Sequence, residues 1–150
     1  MKRFPQLTLL FTVLLIAGGC SSFNREWNKA GELPPPSDDM TGRWQGTWKS
    51  EASGHTDKLR CIVTRGESGF YQAQFHAKYH GILSFGYTVP LKVEKTNDTF
   101  QYSGEADLGS MAGGTYQYKG HANATTFFST YSSKDDHGTF QMSRPEPAAK

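Results

Sequence analysis

Residues 85–106 read FGYTVPLKVEKTNDTFQYSGEA, and within them Phe85, Tyr87, Val89, Leu91 and Val93 occupy alternate positions, as do Phe100, Tyr102, Gly104 and Ala106. A period of two places each set on one face of an extended strand. The polar cluster Lys95-Thr96-Asn97-Asp98 between them is a turn. Two strands and a short turn make an antiparallel hairpin, and the same pattern spreads both ways along the chain. Upstream, Trp44, Gly46 and Trp48 share a face, then Leu59, Cys61 and Val63, then Tyr71, Ala73, Phe75 and Ala77. Downstream come Tyr116, Tyr118, Gly120 and Ala122, then Phe127, Ser129 and Tyr131, then Phe140 and Met142. No stretch after residue 41 carries three helical turns, because Gly, Thr, Ser and aromatic residues interrupt every apolar run at helical spacing. The reading is an all-β domain over residues 41–150. Short turns favour antiparallel neighbours, and about eight strands bury one apolar face most economically by closing on themselves. The expected fold is therefore an eight-stranded antiparallel meander barrel. A two-sheet sandwich is the competing arrangement, since alternation alone does not separate closed from stacked sheets.

The first forty residues read differently. Lys2 and Arg3 precede an apolar run from Leu7 to Ala17, followed by Gly18-Gly19-Cys20. This is the pattern of a signal peptide over residues 1–19. The run falls short of the roughly 20 residues that span a bilayer as a helix. The small residues before Cys20 resemble the lipobox of bacterial lipoproteins, with Ala17 standing where that motif usually has Leu. The resemblance implies cleavage before Cys20, lipidation of that cysteine and attachment to a membrane of the bacterial cell envelope. Ser21 and Ser22 follow, with no Asp beside the cysteine, which in the same resemblance implies an outer-membrane location facing the periplasm. Ordinary cleavage after Gly19 is the alternative, and it leaves a Cys20–Cys61 bridge open in an oxidising compartment. Residues 20–40 show no sustained period and include Pro34-Pro35-Pro36, so they read as a lipidated cysteine and a flexible tether.

Charge narrows the partners. Taking Lys2 and Arg3 from the 16 basic residues leaves 14, against 14 acidic ones, so the chain after residue 19 is formally neutral. Neutrality removes the long-range attraction that nucleic acids require, and no nucleic-acid partner is expected.

At the start of the first strand, Thr41-Gly42-Arg43-Trp44 resembles the Gly-x-Trp opening of lipocalins and related calycin barrels. In that resemblance the Trp closes one barrel end and packs against an Arg near the end of the last strand. Arg144 lies two residues beyond Met142, so strand parity turns it to the same face. Trp44 and Arg144 are accordingly the expected barrel-closing pair, held by a cation–π contact of order 1 kcal/mol.

The chemistry-bearing residues are sparse. By strand parity His76 and His121 point outward, while His55, His80 and His137 fall in loops, so none faces the interior. His76 and His80 stand about 13 Å apart along an extended strand, too far to share one zinc. Gly54-His55-Thr56-Asp57 and Asp135-Asp136-His137 are placed to meet at one rim, where turn formation explains them. Cys61, between Leu59 and Val63, is read as a small buried hydrophobe. No nucleophile elbow, phosphate loop, dinucleotide fingerprint or Cys-x-x-Cys pair occurs. No catalytic residue, metal or cofactor is expected, and the chain is not read as an enzyme.

The interior is rich in aromatics, and an eight-stranded barrel is just wide enough to be filled by side chains or to hold one small ligand. Tyr71, Phe75, Tyr87, Tyr102, Tyr116, Tyr118 and Tyr131 are the candidate pocket residues, their hydroxyls needing partners if buried. Gly104, Ala106, Gly120 and Ala122 are expected to leave room beside them, and Leu108–Gly114 to form a loop over the rim. Two readings follow. One is a membrane-anchored binder of a small hydrophobic ligand; the other is a filled barrel serving as a structural or protein-interaction module of the envelope, with the protein partner unspecified.

Overall fold

The computed structural model describes residues 21–146; Cys20 and the signal-like segment before it lie outside the described residues. The barrel strands are β1 (Gly42–Ser50), β2 (Thr56–Arg65), β3 (Phe70–Tyr79), β4 (Leu83–Thr96), β5 (Thr99–Asp107), β6 (Thr115–Ala122), β7 (Thr126–Ser132) and β8 (His137–Ser143). Each pairs antiparallel with the next, and β8 pairs back to β1, closing the barrel in simple meander order. A single turn of 3-10 helix, Ser110–Ala112, lies in the β5–β6 connection.

The turns follow local chemistry. His80 and Gly81 both take positive φ, 52° and 69°, within the three-residue connection His80–Ile82 that joins the paired Tyr79 and Leu83. Asn97 takes φ 53° between β4 and β5, a left-handed conformation that Asn tolerates better than most residues.

Inward-facing positions form one core containing Trp44, Leu59, Cys61, Val63, Phe75, Val89, Leu91, Phe127 and Phe140, among others. Cys61 is fully buried, and desolvation pushes its thiol pKa well above the ordinary value. The glycines do not leave the room expected of them. Gly120 pairs with Tyr102 and Gly138 with Tyr131, and in each pair the tyrosine hydroxyl lies where a glycine Cβ would stand, at 2.6 and 2.8 Å. An aromatic ring folded over a cross-strand glycine fills the gap and pins the register. The two hydroxyls are also satisfied by the chain itself: Tyr102 donates to the Phe128 carbonyl at 2.7 Å and Tyr131 to the Asp136 carboxylate at 3.1 Å.

The largest departure from the sequence reading concerns the tether. Residues 21–30 are helical, and Phe23, Trp27 and Ala30 form an apolar stripe that packs on Ile62 of the outer barrel face. The guanidinium of Arg60 stacks at 5.0 Å from the Phe23 ring and 5.1 Å from that of Trp27. Arg60 also donates to Asn24 at 2.9 Å, and Arg43 lies 5.3 Å from the Trp27 ring. His76 points outward as its parity requires, yet it is buried, because the Phe23 ring stacks on it at 4.7 Å. Ten residues hold barely three helical turns, and the stripe is hidden when the window also takes in the three prolines.

Two expected outcomes follow. A Cβ on Gly138 would stand 1.9 Å from the Lys49 carbonyl oxygen, so Gly138→Ala is expected to destabilise the barrel by about 1–3 kcal/mol through overpacking, read as a lower urea midpoint. Burial, then the positive charges of Arg60 and Lys78, lower the pKa of His76 below its unfolded value. The unfolded or undocked state therefore binds the proton more readily, and stability is kept above the ordinary histidine range and lost as pH falls through it. Amide-exchange protection factors over residues 21–30, taken relative to the intrinsic rate at each pH, should fall between pH 7.5 and pH 5, and His76→Gln should flatten that dependence.

Candidate functional site

The two barrel ends are built differently. At the end carrying the β2–β3, β4–β5 and β6–β7 turns, Arg144 lies with its guanidinium carbon 3.8 Å from the centroid of the Trp44 ring. Its nitrogens donate to the carbonyls of Thr41 at 2.7 Å, Asp39 at 3.0 Å and Ala124 at 3.2 Å, stitching the chain entry to the last turn. Burial lowers its pKa to about 10, so it keeps its charge at neutral pH. Trp44 donates its indole N–H to the Met40 carbonyl at 2.9 Å. Asp39 extends the plug: its carboxylate accepts from the Met40 amide at 2.7 Å, from Arg65 at 2.9 Å and from the Tyr71 hydroxyl at 3.1 Å. This end is shut.

The other end is open. A cavity of about 590 Å³ lies between Trp48, Ala77, Tyr79, Phe85, Tyr87, Leu108, Tyr116, Tyr118, Tyr131 and Phe140, with Asp107 and Asp136 at its edge. Its size is that of a small-molecule site. Strand pairing explains its position. The β4–β5 ladder runs only from Thr96↔Thr99 to Leu91↔Gly104, next to Pro90, which has no N–H to donate. From there to the rim β4 pairs with β3 alone and β5 with β6 alone. Phe85–Tyr87 and Asp107–Leu108 line the cavity beyond that break.

Of the seven sequence-derived pocket residues, Tyr87, Tyr116, Tyr118 and Tyr131 line the cavity. Phe75 lies in the core, stacked on Tyr87 at 5.2 Å between centroids. Tyr71 and Tyr102 do not reach the cavity. Tyr71 is tied to Asp39 at the shut end, and Tyr102 packs on Phe127 at 5.1 Å and bonds to Phe128. Parity sorted the inward face correctly but carries no information on height along the barrel axis. Tyr79 was missed although it continues the alternation of Tyr71 to Ala77 by one further step. The acids Asp107 and Asp136 sit where strands pass into loops, and periodicity gives no signal for them.

Asp136 organises one side of the mouth. Its carboxylate accepts from the Ser50 hydroxyl at 2.6 Å, the Tyr131 hydroxyl at 3.1 Å and the His137 amide at 2.8 Å. The Gly54–Asp57 and Asp135–His137 segments do meet at this rim, since Ser50 N–H donates to the His55 carbonyl and Glu51 N–H to the His137 carbonyl, both at 2.8 Å. His55 lies in the β1–β2 loop, as read, and its ring stacks there 5.1 Å from Trp48, 4.8 Å from Tyr79 and 4.5 Å from His80 between ring centroids. Asp57, beside it, accepts from the Lys58 and Gly81 amides, which hold its carboxyl below the usual range.

The cavity is thus aromatic and acidic-edged, with no Lys or Arg in its lining. Burial raises the pKa of Tyr87, Tyr118 and Tyr131, for Tyr131 with help from the Asp136 charge. These hydroxyls stay protonated at physiological pH and act as hydrogen-bonding groups, not as bases. Among the described residues no three His, Cys, Asp or Glu side chains are grouped to hold a metal ion. No family model, no curated protein and no solved structure matches the chain.

The shut end is predicted to carry stability. Arg144→Lys keeps the charge but loses the planar fork that serves several carbonyls at once, and should lower the unfolding free energy by about 1–3 kcal/mol in urea titrations, with ring contacts at the open cavity unchanged in NMR spectra.

Proposed function

We propose that the protein is a membrane-anchored lipoprotein of the bacterial envelope whose barrel binds one small apolar ligand through its open end. The observation that carries the binding reading is the 590 Å³ cavity with its aromatic walls. An aromatic lining gains free energy from an apolar body, and protonated tyrosine hydroxyls orient a polar end by hydrogen bonding. The lining also sets the ligand's sign. With Asp107 and Asp136 at the edge and no basic side chain in the lining, a carboxylate or phosphate headgroup entering the cavity would meet like charge. A neutral or basic ligand fits, because a cation gains from aromatic faces and from nearby carboxylates.

Support for the anchor comes from the lipobox-like segment ending at Cys20 and from Cys61. Because Cys61 is fully enclosed in the barrel core, a bridge to a cysteine outside the barrel would require the barrel to open. Lipidation leaves Cys20 with a role and Cys61 with its packing. Among the described residues no helix is long and apolar enough to cross a membrane. A filled barrel used as an interaction module is the second reading, favoured by the exposed apolar residues around the mouth.

The test is native mass spectrometry of the full chain purified without denaturation from a bacterial host, with and without unfolding. A stoichiometric mass released on unfolding is expected, and Ala112→Trp, on an exposed loop position bordering the cavity, should reduce its occupancy at least tenfold. A bare native mass, together with no shift in melting temperature from neutral, cationic or anionic apolar compounds, would eliminate the binding reading.

A further inference from the structure

Large apolar side chains are unevenly distributed over the surface. Of the seven large apolar side chains exposed among the described residues, five lie together, Tyr79, Ile82, Leu83 and Phe85 on the β3–β4 hairpin and Met111 on the β5–β6 connection, with Ile82 exposed by 84% and Met111 fully; Leu33 and Phe70 lie apart from them, toward the shut end. All five belong to the two connections that border the cavity mouth, where Tyr79 and Phe85 are also cavity walls. The hairpin tip is held firmly: the connection from the paired Tyr79 to Leu83 is only three residues, and the Gly81 amide donates to Asp57 at 2.8 Å. A fixed tip that keeps Ile82 and Leu83 in water needs a covering surface.

The helix over residues 21–30 identifies that surface. Its Phe23 lies at the level of His76 and Arg60, whereas Trp27 reaches Arg43 and Ala30 reaches the Thr41–Thr64 region toward the shut end. The chain therefore rises toward the mouth as residue numbers fall. His76 is three residues, about 10 Å of strand, from Tyr79 at the base of the hairpin, and Ser21 is a further two residues, about 3 Å of helix, in the same direction. The docked stripe of Phe23 and Trp27 leaves no slack between Ser21 and the barrel. Ser21, which follows Cys20 in the sequence, therefore lies on the mouth side of the docked helix.

We infer that the open mouth faces a lipid bilayer, with Ile82, Leu83 and Met111 seated at its surface. The inference rests on the reading of Cys20 as the membrane attachment. The docked helix converts that attachment from a loose leash into an orientation, and the apolar rim supplies the contact. A mouth held against the bilayer exchanges its ligand with the lipid phase, so an apolar ligand need not cross open water to enter.

The full-length protein, processed in a bacterial host, is reconstituted into phosphatidylcholine–phosphatidylglycerol vesicles and floated on a density gradient. Ile82→Cys and Met111→Cys at the rim and Glu67→Cys in the turn at the shut end are each labelled with an environment-sensitive fluorophore. All three side chains are exposed, so the substitutions leave the core intact; the parent chain gives the background from its own cysteines. Flotation with blue-shifted emission and at least twofold quenching by acyl-brominated lipid at positions 82 and 111, and neither at 67, is the expected result. Flotation with all three labels equally in water overturns the orientation and leaves the anchor standing. Failure to float overturns both. Rim labels shielded in detergent solution, with a doubled mass, assign the rim to a second copy and overturn the lipid contact.

Discussion

The close approach of β8 to β1 that shuts the ring depends on two positions on that seam that carry no Cβ. At Gly46 a Cβ would stand 2.0 Å from the Gln141 carbonyl oxygen, and at Gly138 one would stand 1.9 Å from that of Lys49. No side-chain adjustment relieves such contacts, because the colliding atoms are backbone atoms of the strand that must be paired. Without the seam both edge strands would present unpaired N–H and C=O groups, and the inward aromatic face would lack an enclosure. The core, the plug at one end and the cavity at the other all presuppose the closed ring.

Within that ring the aromatic residues serve two ends. Near the shut end they face glycine and small aliphatic neighbours and fill the section completely, with Phe127 touching the rings of Trp44, Tyr102 and Phe75. Near the mouth, Tyr87, Tyr116, Tyr118 and Tyr131 stand around the wall and leave the axis empty. The difference is one of wall continuity. The shut half has ladders on every side, whereas the mouth half loses the β4–β5 ladder above Pro90. Filled and hollow therefore describe two halves of one molecule.

The closed meander was legible in the sequence because alternation is a local signal and held for all eight strands; the turn signals were looser, and His137, read as a loop residue, instead opens β8. The plug was legible for a related reason: parity brings Arg144 to the face of Trp44, and the guanidinium stacks there at 3.8 Å. Height along the axis was not legible, which is why Tyr71 and Tyr102 were grouped with tyrosines from the opposite end. It depends on strand tilt and on where ladders stop, and these are properties of neighbours many residues away. The helix over residues 21–30 was obscured for another reason. Its order comes from Arg60, Ile62 and His76, outward residues of β2 and β3 that alternation assigns to solvent. The signs in the sequence were the outward Ile62 on β2 and the aromatic pair Phe23 and Trp27 in the tether, which need a surface to rest on.

Plugging one end also constrains the other. Arg144, Asp39, Trp44 and Tyr71 are joined by direct bonds and a stacked cation, so ligand passage through that end would break several buried charged hydrogen bonds together. The mouth is bordered on one side by the short β3–β4 turn and a loop in which Gly109, Gly113 and Gly114 all take positive φ, and on the other by the hydrogen bonds of Asp136. On the proposed binding reading, a ligand would enter by the rim that carries Tyr79, Ile82, Leu83, Phe85 and Met111. On that reading a surface covering Ile82, Leu83 and Met111 would lie across this route, and its chemistry would govern which molecules reach the tyrosines within.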